Sequence, residues 1–268
     1  MVEHSVSHLP TADIAVIGGS GFYSFFDENA AEITIDTPYG SPTAPITVDE
    51  VEGKRVAFLP RHGVHHEFAP HTIPYRANMW ALRVLGVRQV FAPSTTGSLT
   101  TELLHGSMVI PDQLVDRTSG RKQTYFDTGT VHVQFADPFC PVLRKAALQP
   151  GTVDGGVLVV IEGPRFSTRA ESLWFARQGW SLVNMTGHPE AVLARELEMC
   201  YAAIALVTDL DAGIEVGEGV RAADVLAEVD RNLESLKALV RSAIAAAPAA
   251  ACDTCRVHEG VTLPFELP

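Results

Sequence analysis

The chain has 268 residues, 46 % hydrophobic and 19 % charged, an ordinary globular balance that excludes wholesale disorder and suits one core. A formal net charge of −12 repels phosphate backbones and excludes a nucleic-acid partner, so any anionic ligand has to be held by a local pocket of donors. No apolar run approaches the ~20 residues of a membrane helix, and Met1–Thr11 lacks the basic and apolar regions of a signal peptide, so the reading is a cytoplasmic protein with no membrane partner.

In chain order, Ile14–Ile17 has the length and β-branched character of a buried strand and runs straight into Gly18-Gly19-Ser20-Gly21. A glycine-rich turn after a strand exposes backbone N–H groups that cradle an anion. The same turn begins like a dinucleotide fingerprint, but Ser24 stands where a third glycine or alanine belongs, and Asp27-Glu28-Asn29 reads as a turn instead of a continuing helix. Strands are expected at Ile33–Asp36, Ile46–Val51 and Arg55–Leu59, the last two joined as a hairpin through Glu52-Gly53-Lys54. Arg61-His62-Gly63 follows directly. A guanidinium fork beside an imidazole suits an anion, and equally a surface turn with a structural salt bridge. His62, His65, His66 and His71 have ligand-like spacing, but a proline interrupts them and no helix would align their rings.

A helix is expected over Tyr75–Leu85, closed by Gly86, then a strand at Val87–Ala92 and a loop of small hydroxyl residues, PSTTGSLT. Helices at Phe139–Leu148, Thr168–Gln178, Pro189–Cys200 and Ala222–Ala246 alternate with strands at Val157–Ile161, Leu182–Asn184 and Tyr201–Val207. Such alternation predicts an α/β fold, a mostly parallel sheet flanked by helices, in a single domain over 12–247 with tails at 1–11 and 248–268. Ligands of such sheets collect beyond the carboxyl ends of strands. There Thr208-Asp209-Leu210-Asp211 follows a strand, its two carboxylates suiting a ligand site, a metal or a solvated turn.

Of four cysteines, Cys140 and Cys200 lie in apolar runs and read as inert filler, while Cys252 and Cys255 form CDTC near the end of the chain. A zinc site needs four ligands. Beside this pair the sequence offers only His258 and more distant groups, so no metal is expected, and a redox or disulfide role stays open.

GGSG at 18–21, RHG at 61–63, EGPRFSTRAES at 162–172 and NMTGHPE at 184–190, in this order, resemble the trimeric purine nucleoside phosphorylases. The resemblance spans roughly 13 to 246 and implies their three-layer nucleoside-phosphorylase fold, a homotrimer, and inorganic phosphate as co-substrate with no cofactor. It assigns phosphate to Ser20, Arg61, His62, Ser94, Thr95 and Thr186, ribose to Met185, and the base to Asp209, Leu210 and Asp211. Gly187-His188 departs from the family's usual small and aliphatic pair.

Asp209 and Asp211 replace the asparagine of members that use 6-oxopurines, and an ionised carboxylate accepts from an exocyclic amine but opposes a carbonyl oxygen. The resemblance therefore implies phosphorolysis of adenine nucleosides with Asp209 as the acid at purine N7. Ser167, Ala222 and Leu226 align with the region that selects the 5′ group, where small and apolar side chains favour methylthio over hydroxyl. His132 matches a region that reaches the neighbouring subunit's site. The alternatives are a phosphorylase of 6-oxopurine nucleosides, a hydrolytic nucleosidase, and a nucleoside-binding protein without catalysis.

Overall fold

The computed structural model describes residues 10–26, 30–129, 131–214 and 219–268. Most of the expected N-terminal tail and the Asp27-Glu28-Asn29 turn lie outside them. In chain order the elements are β1 (Ile14–Gly18), β2 (Ala31–Ile33), β3 (Ile46–Val51), β4 (Lys54–Pro60), α1 (Tyr75–Val84), β5 (Gln89–Ser98), β6 (Met108–Ile110), β7 (Gln113–Arg117), α2 (Pro141–Ala147), β8 (Thr152–Asp154), β9 (Val157–Ile161), α3 (Arg169–Arg177), β10 (Leu182–Asn184), α4 (Gly187–Glu196), β11 (Cys200–Leu210) and α5 (Ala222–Ala246).

Among the described residues all the strands belong to one 11-stranded mixed sheet, with the path β2-β3-β4-β1-β5-β10-β9-β7 and a branch in which β11 joins β5 to β6 and β8. Side chains alternate across it with the period of two that a strand imposes. Ala15 and Ile17 of β1, and Tyr201, Ala203, Ala205 and Val207 of β11, join a core with α1 and α4. Ile14 and Val16, with Cys200, Ala202, Ile204 and Leu206, join the opposite core with α2 and α5. The result is the helix–sheet–helix layering expected from alternating elements. A third cluster holds α3 against β9 and β10 through Phe175, Val159 and Val183. Helix α3 is anchored by Thr168, whose Oγ1 accepts from the Glu171 N–H (3.2 Å) while the Glu171 carboxylate accepts from the Thr168 N–H (2.7 Å).

Several elements differ from expectation. The strand expected at Ile33–Asp36 is the shorter, earlier β2, and the helix expected to reach Cys200 ends at Glu196, leaving Cys200 to open β11. The short strands β6, β7 and β8 carry no clear alternation and were not anticipated. The PSTTGSLT loop is largely strand: β5 continues through Ser98 because β11 runs parallel to it from Cys200↔Gln89 to Leu210↔Ser98. A neighbouring strand's hydrogen bonds here override the poor strand propensity of proline and glycine.

The other edge of β5 is shared. β1 pairs with it over Gln89–Phe91 and β10 over Gly97–Ser98, so among the described residues no strand covers that edge between them. Pro93 sits in this gap, where a missing N–H leaves no ladder bond broken. β1 and β10 both end beside the opening, which is the kind of switch point where α/β sheets bind ligands.

The segment after α5 runs back over the chain. Phe265 stacks on Phe126 at 5.5 Å, and His258 Nε2 lies 2.7 Å from the Glu196 carbonyl. His258 is not part of the cluster around the CDTC pair, and it is Cys140 and Cys200 that meet Cys252 and Cys255, their sulfurs all within 4.8 Å of one another. The expectation that no third or fourth ligand stands near the pair is corrected: α2 and β11 both begin at that point of the fold. Among the described residues, no helix is long and apolar enough to cross a membrane.

Candidate active site

A cavity of about 510 Å³ opens at the gap beside β5, a size that suits a small molecule with most of its surface buried. Its walls come from the turn after β1, the loop after β4, the middle of β5, the ends of β9, β10 and β11, and the first turns of α5.

Ser20, Arg61, His62, Ser94, Thr95 and Thr186 all line it. Gly19 lets the turn descend onto them, since a Cβ there would stand 3.0 Å from Arg61 Nη1 and 3.1 Å from the Pro93 carbonyl. Arg61 is 1 % exposed and pairs with the equally buried Glu190: Nε donates to Oε1 at 2.5 Å and Nη2 to Oε2 at 3.0 Å. Nη1 donates to the Pro93 carbonyl at 3.0 Å, and the Tyr201 hydroxyl donates to Glu190 Oε2 at 2.8 Å. Burial would push the guanidinium down, but the Glu190 carboxylate more than offsets it and holds the charge above its ordinary range. The planar fork is thus turned on Glu190, and the arginine faces the cavity with the N–H bonds left over.

His62 is also buried, and its Nδ1 donates to the Phe68 carbonyl at 2.8 Å. Burial lowers it to about 4, so near neutral pH the ring is uncharged and Nε2 is an acceptor. It therefore suits an anion that carries a proton, or a hydroxyl group, instead of adding a second cation. His66 stacks on it at 4.4 Å, and its Nδ1 lies 2.9 Å from the Tyr23 hydroxyl. His66 and Tyr23 also line the cavity.

Asp209 and Asp211 line the same cavity. They do not simply follow a strand, as the sequence suggested, because Thr208, Asp209 and Leu210 belong to β11, with a bulge where Val207 pairs Thr96 but Asp209 pairs Gly97. The extra residue, Thr208, re-aims the side chains beyond it. Gly97 makes the room: a Cβ there would lie 2.9 Å from Asp209 Oδ1 and 3.2 Å from Asp211 Cβ. The Thr208 hydroxyl lies 2.9 Å from Asp209 Oδ2, and the Ser172 hydroxyl donates to Asp211 Oδ2 at 2.5 Å. Burial, with Asp211 adding to it, pushes Asp209 up to about 6, while burial raises Asp211 against the opposing bond from Ser172. One carboxyl is thus poised to carry a proton, and its neighbour is fixed by a hydroxyl as acceptor.

Met185 and Ser167 line the cavity as well, and Ala222, Val225 and Leu226 of α5 give it apolar surface. Leu210 does not line the cavity, and neither does the exposed His132. Gly187-His188 sits outside as well: His188 is buried with Nε2 2.8 Å from Gln123 Oε1 and 3.3 Å from Asp116. Asn184, Phe166 and Tyr23 line the site without having been singled out. Asn184 donates to Ser94 Oγ at 3.2 Å, and only its place at the head of the NMTGHPE run could have flagged it. Arg121 was missed too. Its guanidinium donates to the carbonyls of Met185 (2.9 Å), His188 (2.6 Å) and Glu162 (2.7 Å), tying the ends of β9 and β10 together beneath Met185.

A sequence model of the phosphorylase superfamily matches residues 13–245. The chain is 68 % identical over 257 residues to S-methyl-5′-thioadenosine phosphorylase of Mycolicibacterium smegmatis, covering 95 % of this chain and 99 % of that protein. It is 54 % identical over 259 residues to purine nucleoside phosphorylase of Streptomyces coelicolor, covering 91 % and 92 %. Among solved structures, methylthioadenosine phosphorylase from Schistosoma mansoni in complex with adenine superposes with a TM-score of 0.82 at 33 % identity, covering 88 % of this chain and 91 % of that one.

Proposed function

From the premise that the chain belongs to the phosphorylase superfamily, we propose that it cleaves S-methyl-5′-thioadenosine with inorganic phosphate, reversibly, to adenine and 5-methylthioribose 1-phosphate. The observation that carries this reading is that one cavity is lined both by the Asp209 carboxyl, which burial raises, and by a cluster of hydroxyls with a paired arginine.

As the glycosidic bond stretches, positive charge grows on the sugar and negative charge on the purine. Asp209 gives its proton to N7 and so stabilises the departing base. Asp211, held by Ser172, accepts from the exocyclic amine and sets the preference for 6-aminopurines. Phosphate, held by Ser20, Ser94, Thr95 and Thr186 with the free N–H bonds of Arg61, lies beneath the anomeric carbon. There it balances the cationic sugar and then attacks it. Neutral His62 accepts a proton-bearing oxygen of the phosphate or a ribose hydroxyl. Met185 floors the sugar. Ala222 and Leu226 offer the 5′ substituent an apolar wall that suits methylthio better than hydroxyl. The chemistry asks for no cofactor beyond phosphate.

The working form in this reading is a homotrimer. Leu226 is 46 % exposed at the cavity mouth, and a neighbour carrying the region of His132 would cover it. The compartment is the cytoplasm, whose reducing poise keeps cysteines as thiols, and the reaction serves purine and methionine salvage.

The test is base release from methylthioadenosine, adenosine and inosine, each with and without phosphate. Phosphate-dependent release of adenine, fastest from methylthioadenosine, is the expected result. A preference for inosine would remove Asp209 and Asp211 as base readers, and release without phosphate would overturn the phosphorylase reading itself.

A further inference from the structure

Away from the cavity, four sulfurs converge. Cys140 precedes α2, Cys200 opens β11, and in the C-terminal segment Cys252 precedes and Cys255 ends a single 3₁₀ turn. Cys252 Sγ lies 3.4 Å from Cys140 Sγ, 3.4 Å from Cys200 Sγ and 3.5 Å from Cys255 Sγ. No two of the four are joined as a disulfide. Zinc–thiolate bonds of ~2.3 Å in a tetrahedron set the ligand sulfurs about 3.8 Å apart, and these contacts, with every sulfur within 4.8 Å of every other, bracket that edge.

We propose that Cys140, Cys200, Cys252 and Cys255 bind one structural transition-metal ion as a tetrathiolate site, with zinc the preferred ion. This inference does not depend on the proposed reaction. Four thiolates in a tetrahedral array select zinc or iron over harder cations. Binding releases the thiol protons to solvent and leaves a dianionic centre, which needs hydrogen-bond donors around it. One is in place: the Thr254 hydroxyl lies 3.1 Å from Cys252 Sγ.

The first pair of ligands is pre-set by the fold, since the Cys140 N–H donates to the Tyr201 carbonyl at 2.8 Å and so fixes α2 against the start of β11. The second pair arrives on CDTC, the two-residue spacing of zinc-binding turns. Cys140, Cys200 and Cys255 are buried, while Cys252 is half-buried and gives the ion a way in.

The metal's task is to fasten the C-terminal segment. Beyond the site that segment places Phe265 and Leu267 against the core around α1. The reacting groups are remote: Asp209 follows Cys200 by about 30 Å of strand at ~3.3 Å per residue. Loss of the ion should therefore loosen the segment and lower the melting temperature with KM for nucleoside unchanged.

The full-length protein, purified under reducing conditions without chelator, is examined by elemental analysis. About one zinc per chain is expected, released when a mercurial titrates the thiols and lost from the variant Cys252→Ser/Cys255→Ser. Iron at the same stoichiometry and with the same loss also supports the site and changes only its ion. Cobalt(II) exchanged into the wild-type chain should give tetrahedral d–d bands with thiolate charge transfer, a readout that survives if the double variant is insoluble. Metal-free protein whose four thiols react freely and which gives no such cobalt spectrum would overturn the proposal. So would a mass deficit on denaturation that shows disulfides in place of thiolates.

Discussion

Replacing Asp209 with asparagine separates its chemistry from its effect on stability, because the two should move in opposite directions. The carboxyl titrates at about 6 in the free protein, so about a tenth of it is protonated at pH 7 and about a hundredth at pH 8. If the proton goes to the base, kcat/KM at saturating phosphate falls about tenfold per pH unit above an inflection near 6, while kcat turns down later, because bound purine excludes water and raises Asp209 further. Asparagine can hydrogen-bond N7 but cannot protonate it, so the variant should lose 10²–10⁴-fold in kcat, roughly 3–5 kcal/mol of barrier, and lose the inflection.

The stability effect has the other sign. A carboxyl raised from its unfolded value of 3.8 binds more protons in the folded state, so its contribution to stability is present below about pH 4 and is lost as pH rises through about 6. At pH 8 that loss is at most about 3 kcal/mol, since Asp209 is partly exposed to the cavity. Asp209→Asn should therefore melt at an equal or higher temperature than the parent at pH 8. Adenine release followed from pH 5 to 9, with calorimetry of the same samples, measures both. Unchanged kcat in the variant, or a flat parent profile, would remove Asp209 from the proton transfer.

Other perturbations read other parts of the site. Glu190→Gln leaves the Arg61 charge buried without its partner and should cost about 3–5 kcal/mol in urea unfolding, with a raised KM for phosphate; unaltered stability would show that Arg61 does not depend on the pair. Gly97→Ala presses a methyl on Asp209 Oδ1 at 2.9 Å and should lower kcat by about 10²-fold through misplacement of the acid, measured as steady-state adenine release with melting temperature as the control. His62, lowered to about 4 from 6.5, holds fewer protons folded than unfolded. Its contribution to stability is present above about pH 6.5 and is lost as pH falls through 4, up to ~3 kcal/mol. Calorimetry of His62→Gln should show a shallower loss of stability over that window, and an identical acid limb would refute the buried neutral ring.

How much of this was legible in the sequence depended on how local each cause was. Ile14–Ile17 could be read as a central strand because both faces of β1 are buried, which demands an unbroken apolar run. Helix α5 was bounded correctly because its apolar residues keep helical spacing for 25 residues. The extension of β5 was not legible. Its hydroxyl and glycine residues have the composition of a loop, and only pairing with β11, more than a hundred residues on, holds them extended. The same long-range pairing creates the bulge that aims Asp209 at the cavity. The residues could be named, but not the register that makes them work.

Partnership was the least visible property. Arg61 was picked out as an anion ligand from its type and its turn, yet its charge is paired with Glu190, 129 residues away in sequence, through Nε and Nη2, and Nη1 is drawn to the Pro93 carbonyl. Its buried charge is therefore largely neutralised within the protein, and the part of the cavity assigned to phosphate is less cationic than RHG suggests. This gives the proposed phosphate site a different physical character. Hydroxyls, backbone N–H groups and a neutral imidazole do most of the holding, and they act over hydrogen-bond distance without needing net charge. A site of that kind suits a molecule carrying −12 overall, because it does not rely on long-range attraction to gather its anion. It also implies that the affinity for phosphate should change little with ionic strength, whereas an unpaired arginine clamp would weaken as salt screens it.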